Sequence, residues 1–543
     1  MNSPACSLST NTARRRGEKA AVTSGQIARA KRQATPLAVL RVLFIDPVFF
    51  VFIAIVLAVH WTLRSNTWRK VWLLACSHFF YAGFFIGNPF EFYGKVREAA
   101  ALPDGWWFPF VLMGSTCLDY AVGRGIGAAQ GEGRRRAWLI VSLAVNLGVL
   151  CFFKYFNFFL TSASGFLAWV GLPASDWTLK IFLPYGISFY TFQSMSYSID
   201  VYRRRLEPVR SFLDLAFFIS FFPQLVAGPI VRAMTFLPQV SVARVWGNVD
   251  VRGCLTMFFI GFVKKACISE NVAPFADDVF GAPGSYGVSA TYVAVLFYAV
   301  QIYCDFSGYS DMAIATARML GYELTLNFHF PYFAAHITEF WRRWHISLST
   351  WLRDYLYISL GGNRGSKLFT YRNLMLTMLL GGLWHGASWT FVIWGGLHGI
   401  ALIIHREWQR VFANAGAAFQ RAMSCLGPVI CFYWICITWI FFRAQPIRDA
   451  TTHAIEKSGF EVARMMLKSF VLFHAKGHRS FTVWTFVLFG ALVLVHWLNA
   501  RQFLASWWRR LPAWAFSALL GAGTAIALSF VPAKYKAFIY FQF

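Results

Sequence analysis

The chain has 543 residues, of which 57% are hydrophobic and 14% charged, with a mean hydropathy of +0.49. Soluble domains carry about 25% charged residues, so composition argues against a soluble fold and for a membrane protein. The formal net charge of +26 gathers in short loops between apolar blocks, such as Arg134-Arg135-Arg136, Arg203-Arg204-Arg205 and Lys264-Lys265. That distribution fits cytoplasmic loops and anionic headgroups better than nucleic acid, which is not expected as a partner.

Residues 1–40 are polar and basic, and read as a disordered tail held in the cytoplasm. No cleavage site of small residues follows the first apolar block, so a signal peptide is not expected. Residues 41–543 read as one membrane domain. Apolar blocks run at 47–63, 71–87, 105–118, 137–153, 155–170, 181–199, 215–231, 254–263, 291–304, 373–383, 389–404, 429–442, 484–498 and 514–531. Several fall short of the roughly 20 residues a spanning helix needs, which predicts about eleven to thirteen transmembrane or re-entrant helices in an all-α fold. The ten cysteines are scattered without a C-x-x-C pair, and read as small packing residues with no disulfide framework or metal site.

Two stretches depart from plain apolar blocks. Phe221–Pro229 carries Pro223 and Pro229 inside apolar sequence. Irregular backbone at membrane depth persists only where protein or water covers it, so this segment is expected to face an internal cavity. Residues 305–372 are mixed, aromatic and charged. Within them Trp341, Trp344, His345, Leu348, Trp351, Leu352 and Tyr355 fall on one helical face. This predicts an interfacial amphipathic helix stopped by Gly361-Gly362, with Glu339 able to pair with Arg342 or Arg343.

His60, His78 and His496 sit singly in apolar blocks and read as structural, while His329, His336, His345, His385 and His398 cluster in sequence. His385 lies where one apolar block ends and another begins, flanked by Gly381, Gly382 and Gly386. An ionisable group at such depth is a functional candidate. A neutral imidazole can take a proton from an attacking alcohol; a helix-break histidine bonded to a carbonyl is the alternative. Metal binding by His385 and His398 lacks further ligands. Asp311 sits where an N-cap belongs, before Met312–Leu320 with Gly321 as the stop. Asp305 could orient a catalytic histidine. No G-x-S-x-G elbow, phosphate loop or dinucleotide fingerprint occurs.

Several longer motifs then run in order: Leu183-Pro184-Tyr185-Gly186-Ile187-Ser188-Phe189-Tyr190-Thr191-Phe192-Gln193, Asp200-Val201-Tyr202-Arg203, Phe221–Pro229 through Arg232, Asp305-Phe306-Ser307-Gly308-Tyr309-Ser310-Asp311, Phe340-Trp341-Arg342-Arg343-Trp344-His345, Gly361-Gly362-Asn363-Arg364, Trp384-His385-Gly386 and Phe441-Phe442-Arg443. Over roughly residues 45–540 the chain resembles the membrane-bound O-acyltransferase family, within it the bacterial branch of alginate O-acetyltransferase membrane subunits and D-alanyl transfer proteins. The basic tail of about 40 residues is longer than that branch leads one to expect. The resemblance implies helices around a central funnel, a catalytic histidine at His385 and a second site histidine at His345. Substrate contacts are expected at Trp384, Asp305, Asn363 and Arg342. It further implies no bound cofactor or metal, and a cytoplasmic thioester donor such as acetyl-CoA. The acceptor is an exported polysaccharide of alginate type, reached through a separate periplasmic acetyltransferase partner, and the location is a bacterial inner membrane. D-alanyl or other acyl transfer to teichoic acid, peptidoglycan or cellulose is the alternative within enzymes. A transporter would call for inverted repeats and paired midplane acids, neither of which is visible.

Overall fold

The computed structural model describes residues 44–86, 107–173, 178–449, 455–501, 508–532 and 539. The basic tail 1–40 lies outside the described residues. By contacts the chain divides into Met1–Val42 with Ala82–Trp106, of which only 82–86 are described, and a second unit comprising the rest. The second unit is built from helices. A single antiparallel pair, Ile447–Arg448 with Ile455–Lys457, is the only sheet among the described residues.

Among the described residues three helices are long and apolar enough to cross a membrane: Glu132–Trp169, Val288–Met319 and Ala417–Arg443. Shorter apolar helices cover Pro47–Thr62, Trp484–Ala500 and Ala513–Ser529. Other apolar blocks fold as interrupted or more polar elements, so they do not each give a full-length apolar span. Block 215–231, for example, divides into Phe212–Ser220 and the single turn Phe222–Leu225. Helix Ile187–Tyr202 is buried along nearly its whole length and carries Gln193, Ser194, Ser196, Ser198 and Asp200 inside the protein.

Two boundaries read from sequence move. Blocks 137–153 and 155–170 form one continuous helix that passes through a wide π turn at Cys151–Tyr155. The block ending at residue 304 likewise continues through Asp305 and Asp311 to Met319. Asp311 therefore is not an N-cap; it lies mid-helix and pairs with Lys264 at 2.7 Å. Ion pairing inside the protein outweighed the local capping signal. Gly321 does end this helix, with φ of +83°. Helix Val288–Met319 can lie against Val251–Phe262 because both carry glycine at the crossing. A Cβ on Gly308 would sit 2.6 Å from Gly261 O, and one on Gly261 2.7 Å from Gly308 O. Small residues are what allow membrane helices such approach.

The twin-proline segment is packed inside the protein. Phe221, Phe222, Leu225, Val226 and Ala227 are fully buried. Backbone groups that the prolines leave outside regular helix find side-chain partners: Phe222 N donates to Ser77 Oγ at 3.1 Å and Ile230 N to Ser347 Oγ at 3.0 Å. Gly186 (φ +76°) abuts this segment, where a Cβ would meet Leu225 O at 2.5 Å. That contact explains why the 183–193 motif needs glycine there.

Candidate active site

The predicted amphipathic helix is broken. Ile337–Arg343 and Ile346–Trp351 are separate short helices, followed by a π turn at Leu352–Tyr357. Between them Trp344 is extended and His345 is left-handed, at φ 44° and ψ 53°. Such a conformation is costly for a residue with a Cβ and persists where surrounding contacts impose it. Here segment 327–329 clamps the turn: His329 N donates to Arg343 O at 2.9 Å, and Ile346 N to Asn327 O at 2.9 Å. The periodicity continued across the break, which hid it from the sequence. Glu339 does pair with Arg343, at 2.6 Å. The left-handed turns at Gly361 and Gly362 end the segment as expected.

The break turns His345 into the protein, where it is fully buried. Its Nδ1 lies 3.1 Å from Asn327 Oδ1. That oxygen also accepts from the backbone N–H of Ser347 at 3.3 Å and from Ser347 Oγ at 2.9 Å. A backbone N–H can only donate, so the Asn327 atom is an acceptor. His345 Nδ1 must then carry the proton, and Nε2 is left with its lone pair. Nε2 is buried without a hydrogen-bond partner among the described residues.

His385 is the last residue of helix Lys367–His385, and Gly386 leaves it in extended backbone. A Cβ on Gly386 would lie 2.2 Å from the Phe391 ring. The next helix, Trp389–Val411, packs closely on the first through glycines. A Cβ on Gly382 would lie 2.3 Å from Phe391 O, and one on Gly395 2.2 Å from Met378 O. Backbone atoms cannot rotate away as a side-chain end can. Gly395→Ala is therefore expected to separate the helices and destabilise the protein by about 1–3 kcal/mol. A lowered melting temperature of the detergent-purified protein checks this, and an unchanged one would refute the backbone contact.

The two histidines meet. Their ring centroids are 6.3 Å apart with planes at 61°. Trp384 lies beside both, at 6.0 Å from His345 and 5.0 Å from His385. Phe306 covers His345 at 4.6 Å; Trp394 and Phe442 cover His385 at 5.0 and 5.4 Å. The 183–193 motif supplies the remaining wall. Phe189 and Phe192 each lie 5.4 Å from Trp384, and Phe192 stacks on Trp351 at 3.9 Å. A water-poor pair of imidazoles, at least one with a free lone pair, is suited to moving a proton during acyl transfer.

Further motifs converge on the π turn that follows. Tyr355 OH donates to Asp200 Oδ2 at 2.6 Å, Arg203 Nη1 donates to Asp354 O at 3.1 Å, and Arg232 pairs with Asp354 at 2.7 Å. These contacts hold the π turn that continues the short helix Ile346–Trp351.

The other site residues expected from sequence are not drawn into this cluster. Asp305 is buried, with its carboxylate engaged by Lys265 and by Ile539 N at 2.8 Å. Arg342 is exposed. Asn363 is exposed too, and its Oδ1 accepts from Tyr357 OH and from Arg406 Nη1 at 3.1 Å. His398 is buried beyond Trp394, 4.6 Å from its ring. His336 stacks at 4.2 Å on His405, a histidine the sequence reading did not single out. Among the described residues no group of three His, Cys, Asp or Glu could hold a metal.

Sequence reasoning missed Lys154 and Asn327. Lys154 Nζ donates to Trp384 O at 2.5 Å and to His385 O at 3.3 Å. A cation there satisfies carbonyls left open at the helix C-terminus and favours its dipole. A charge inside a 38-residue apolar helix was the available signal; it was obscured by reading Lys154 as the boundary between two blocks. Asn327 had no signal, being one polar residue in a mixed loop.

A family model described as the membrane-bound O-acyltransferase family matches residues 143–443, which include both histidines, Lys154 and Asn327. The chain is 42% identical over 405 residues to a Pseudomonas aeruginosa protein named probable alginate O-acetylase, covering 74% of this chain and 72% of that one. It is 38% identical over 452 residues to the peptidoglycan O-acetyltransferase of Helicobacter pylori, covering 77% and 80%. A more distant likeness, 25% over 275 residues, is to the teichoic acid D-alanyltransferase of Bacillus subtilis, covering 48% and 69%.

Proposed function

Because the chain belongs to the membrane-bound O-acyltransferase family and is a membrane acyltransferase, we propose that it takes acetyl from a cytoplasmic thioester, acetyl-CoA, for the O-acetylation of an exported polysaccharide. Its place is the inner membrane, with the N-terminus in the cytoplasm. A separate periplasmic acetyltransferase completes delivery to the glycan. The relatives named for alginate and for peptidoglycan make an alginate-type polymer the first substrate to test. D-alanyl transfer is the second reading, prompted by the teichoic acid relative.

The reading rests on the buried pair of His345 and His385, ring centroids 6.3 Å apart. An imidazole lone pair takes the proton of the acceptor hydroxyl as its oxygen bonds to the thioester carbonyl carbon. The tetrahedral intermediate collapses with loss of the CoA thiolate, which takes up the proton, and the acyl group is left as an oxygen ester. Trp384 walls the centre, and Lys154 is a positioning residue that holds the end of the helix bearing His385. Asp305, Asn363 and Arg342 remain proposed substrate contacts.

The test is base-releasable acetate in purified surface polysaccharide from a deletion strain, with and without the restored gene. Loss on deletion and return on complementation support the reading; full acetate in the deletion strain refutes it. Release of D-alanine in place of acetate selects the second reading. Within the centre, Asn327→Leu removes the acceptor that keeps the proton on His345 Nδ1. Acetyl transfer per molecule is expected to fall about tenfold, because part of the population then carries its proton on Nε2.

A further inference from the structure

Two cavities adjoin at Lys264 and Tyr303, which line both. The first, of 680 Å³, is walled almost wholly by hydrocarbon, including Phe259, Phe333, Phe432, Phe489 and Leu492. The second, of 820 Å³, has a mixed wall that carries the charged and polar side chains. Thr256, Ile260, Lys264, Tyr303, Asn499 and Trp508 line both, which makes them two ends of one cleft. Each end falls within the usual size range of small-molecule sites.

The polar end is cationic. Arg244, Arg252, Lys264, Arg318 and Arg509 line it against Asp250, Asp311 and Glu323. Lys264 is matched by Asp311 at 2.7 Å and Arg318 by Glu323 at 2.8 Å. Asp250 is occupied as a helix cap, accepting from Gly253 N at 2.9 Å. Arg244, Arg252 and Arg509 have no carboxylate partner among the described residues. Two of these guanidiniums are anchored: Arg252 Nη1 donates to Leu511 O at 2.7 Å, and Arg244 lies over the Tyr322 ring at 5.0 Å. A guanidinium has five N–H donors, so such anchoring leaves donors for an anion.

We propose that this cleft binds an anionic phospholipid, with its acyl chains in the apolar end and its phosphate at Arg244, Arg252 and Arg509. The unmatched arginines favour an anion, and the adjoining hydrocarbon chamber favours one that carries long apolar chains. A membrane supplies such a molecule at high local concentration. The cleft adjoins the candidate active site through its walls. Tyr303 and Tyr332 line the apolar end and pack on Trp344, at 6.4 and 6.0 Å, and Trp344 precedes the left-handed His345. The proposal stands independently of the acetyl-transfer reading.

The test uses the full-length protein purified in detergent and challenged with phosphatidylglycerol, phosphatidylcholine of matched chains, or inorganic phosphate alone. Native mass spectrometry is expected to retain phosphatidylglycerol about tenfold or more over phosphatidylcholine, and Arg252→Gln with Arg509→Gln to abolish that preference. Arg421→Gln, outside the cleft, should leave it intact. Equal retention of the two lipids, an unchanged preference in the double variant, or phosphate competing as well as the lipid would overturn the proposal. A second measurement needs no variant: phosphatidylglycerol with a photoreactive group in its acyl chain should label the wild-type protein at 428–432 and 489–496. Labelling confined to other helices would also overturn it.

Discussion

His385→Ala is expected to lower acetyl transfer by about two to four orders of magnitude, the usual contribution of a positioned acid–base group. Membrane abundance should change little, because alanine favours the helix that His385 ends. The comparison variant is His398→Ala. His398 is equally enclosed by aromatic rings, yet lies behind Trp394 and outside the pair. It should cost stability while leaving turnover per folded molecule near wild type. The measurement is base-releasable acetate on the surface polysaccharide, normalised to protein in the membrane fraction. Full acetylation by His385→Ala would remove it from the chemistry and leave His345 as the sole candidate base.

Lys265→Met should have the largest effect on stability. Lys265 is buried between Asp305 and Glu270, the latter at 3.0 Å, and all three side chains are at most 5% exposed. Removing the cation leaves two buried carboxylates without their shared counter-ion, which costs about 3–5 kcal/mol. The expected result is a marked fall in melting temperature and in the amount of extractable protein. Neutralising the whole group, with Lys265→Met, Asp305→Asn and Glu270→Gln together, should recover part of the loss, since no unpaired charge remains. The triple variant also bears on Asp305. Transfer restored along with folding would make Asp305 structural; folding restored without transfer would return it to the substrate contacts.

Membrane character was legible from composition alone, because apolar residues in such proportion and in such blocks leave a soluble core no polar surface. The position of His385 was legible too: an ionisable side chain between glycines at the junction of two apolar blocks is costly to bury, and the structure buries it beside His345. The pairing of Glu339 with Arg343 and the stops at Gly321, Gly361 and Gly362 follow from local rules acting within a turn or two. Only the tertiary structure decided the rest. Periodicity described one helix across His345, whereas hydrogen bonds from segment 327–329 impose a left-handed turn there. A capping rule placed Asp311 at a helix start, whereas Lys264, 47 residues away in sequence, drew it into an ion pair within an unbroken helix. The proton on His345 Nδ1, the hold of Lys154 on the end of the His385 helix and the meeting of the two histidines all join residues distant in sequence. Local propensity and spacing carry no information about such partners, so the chain determined which residues could do chemistry and packing determined which of them meet.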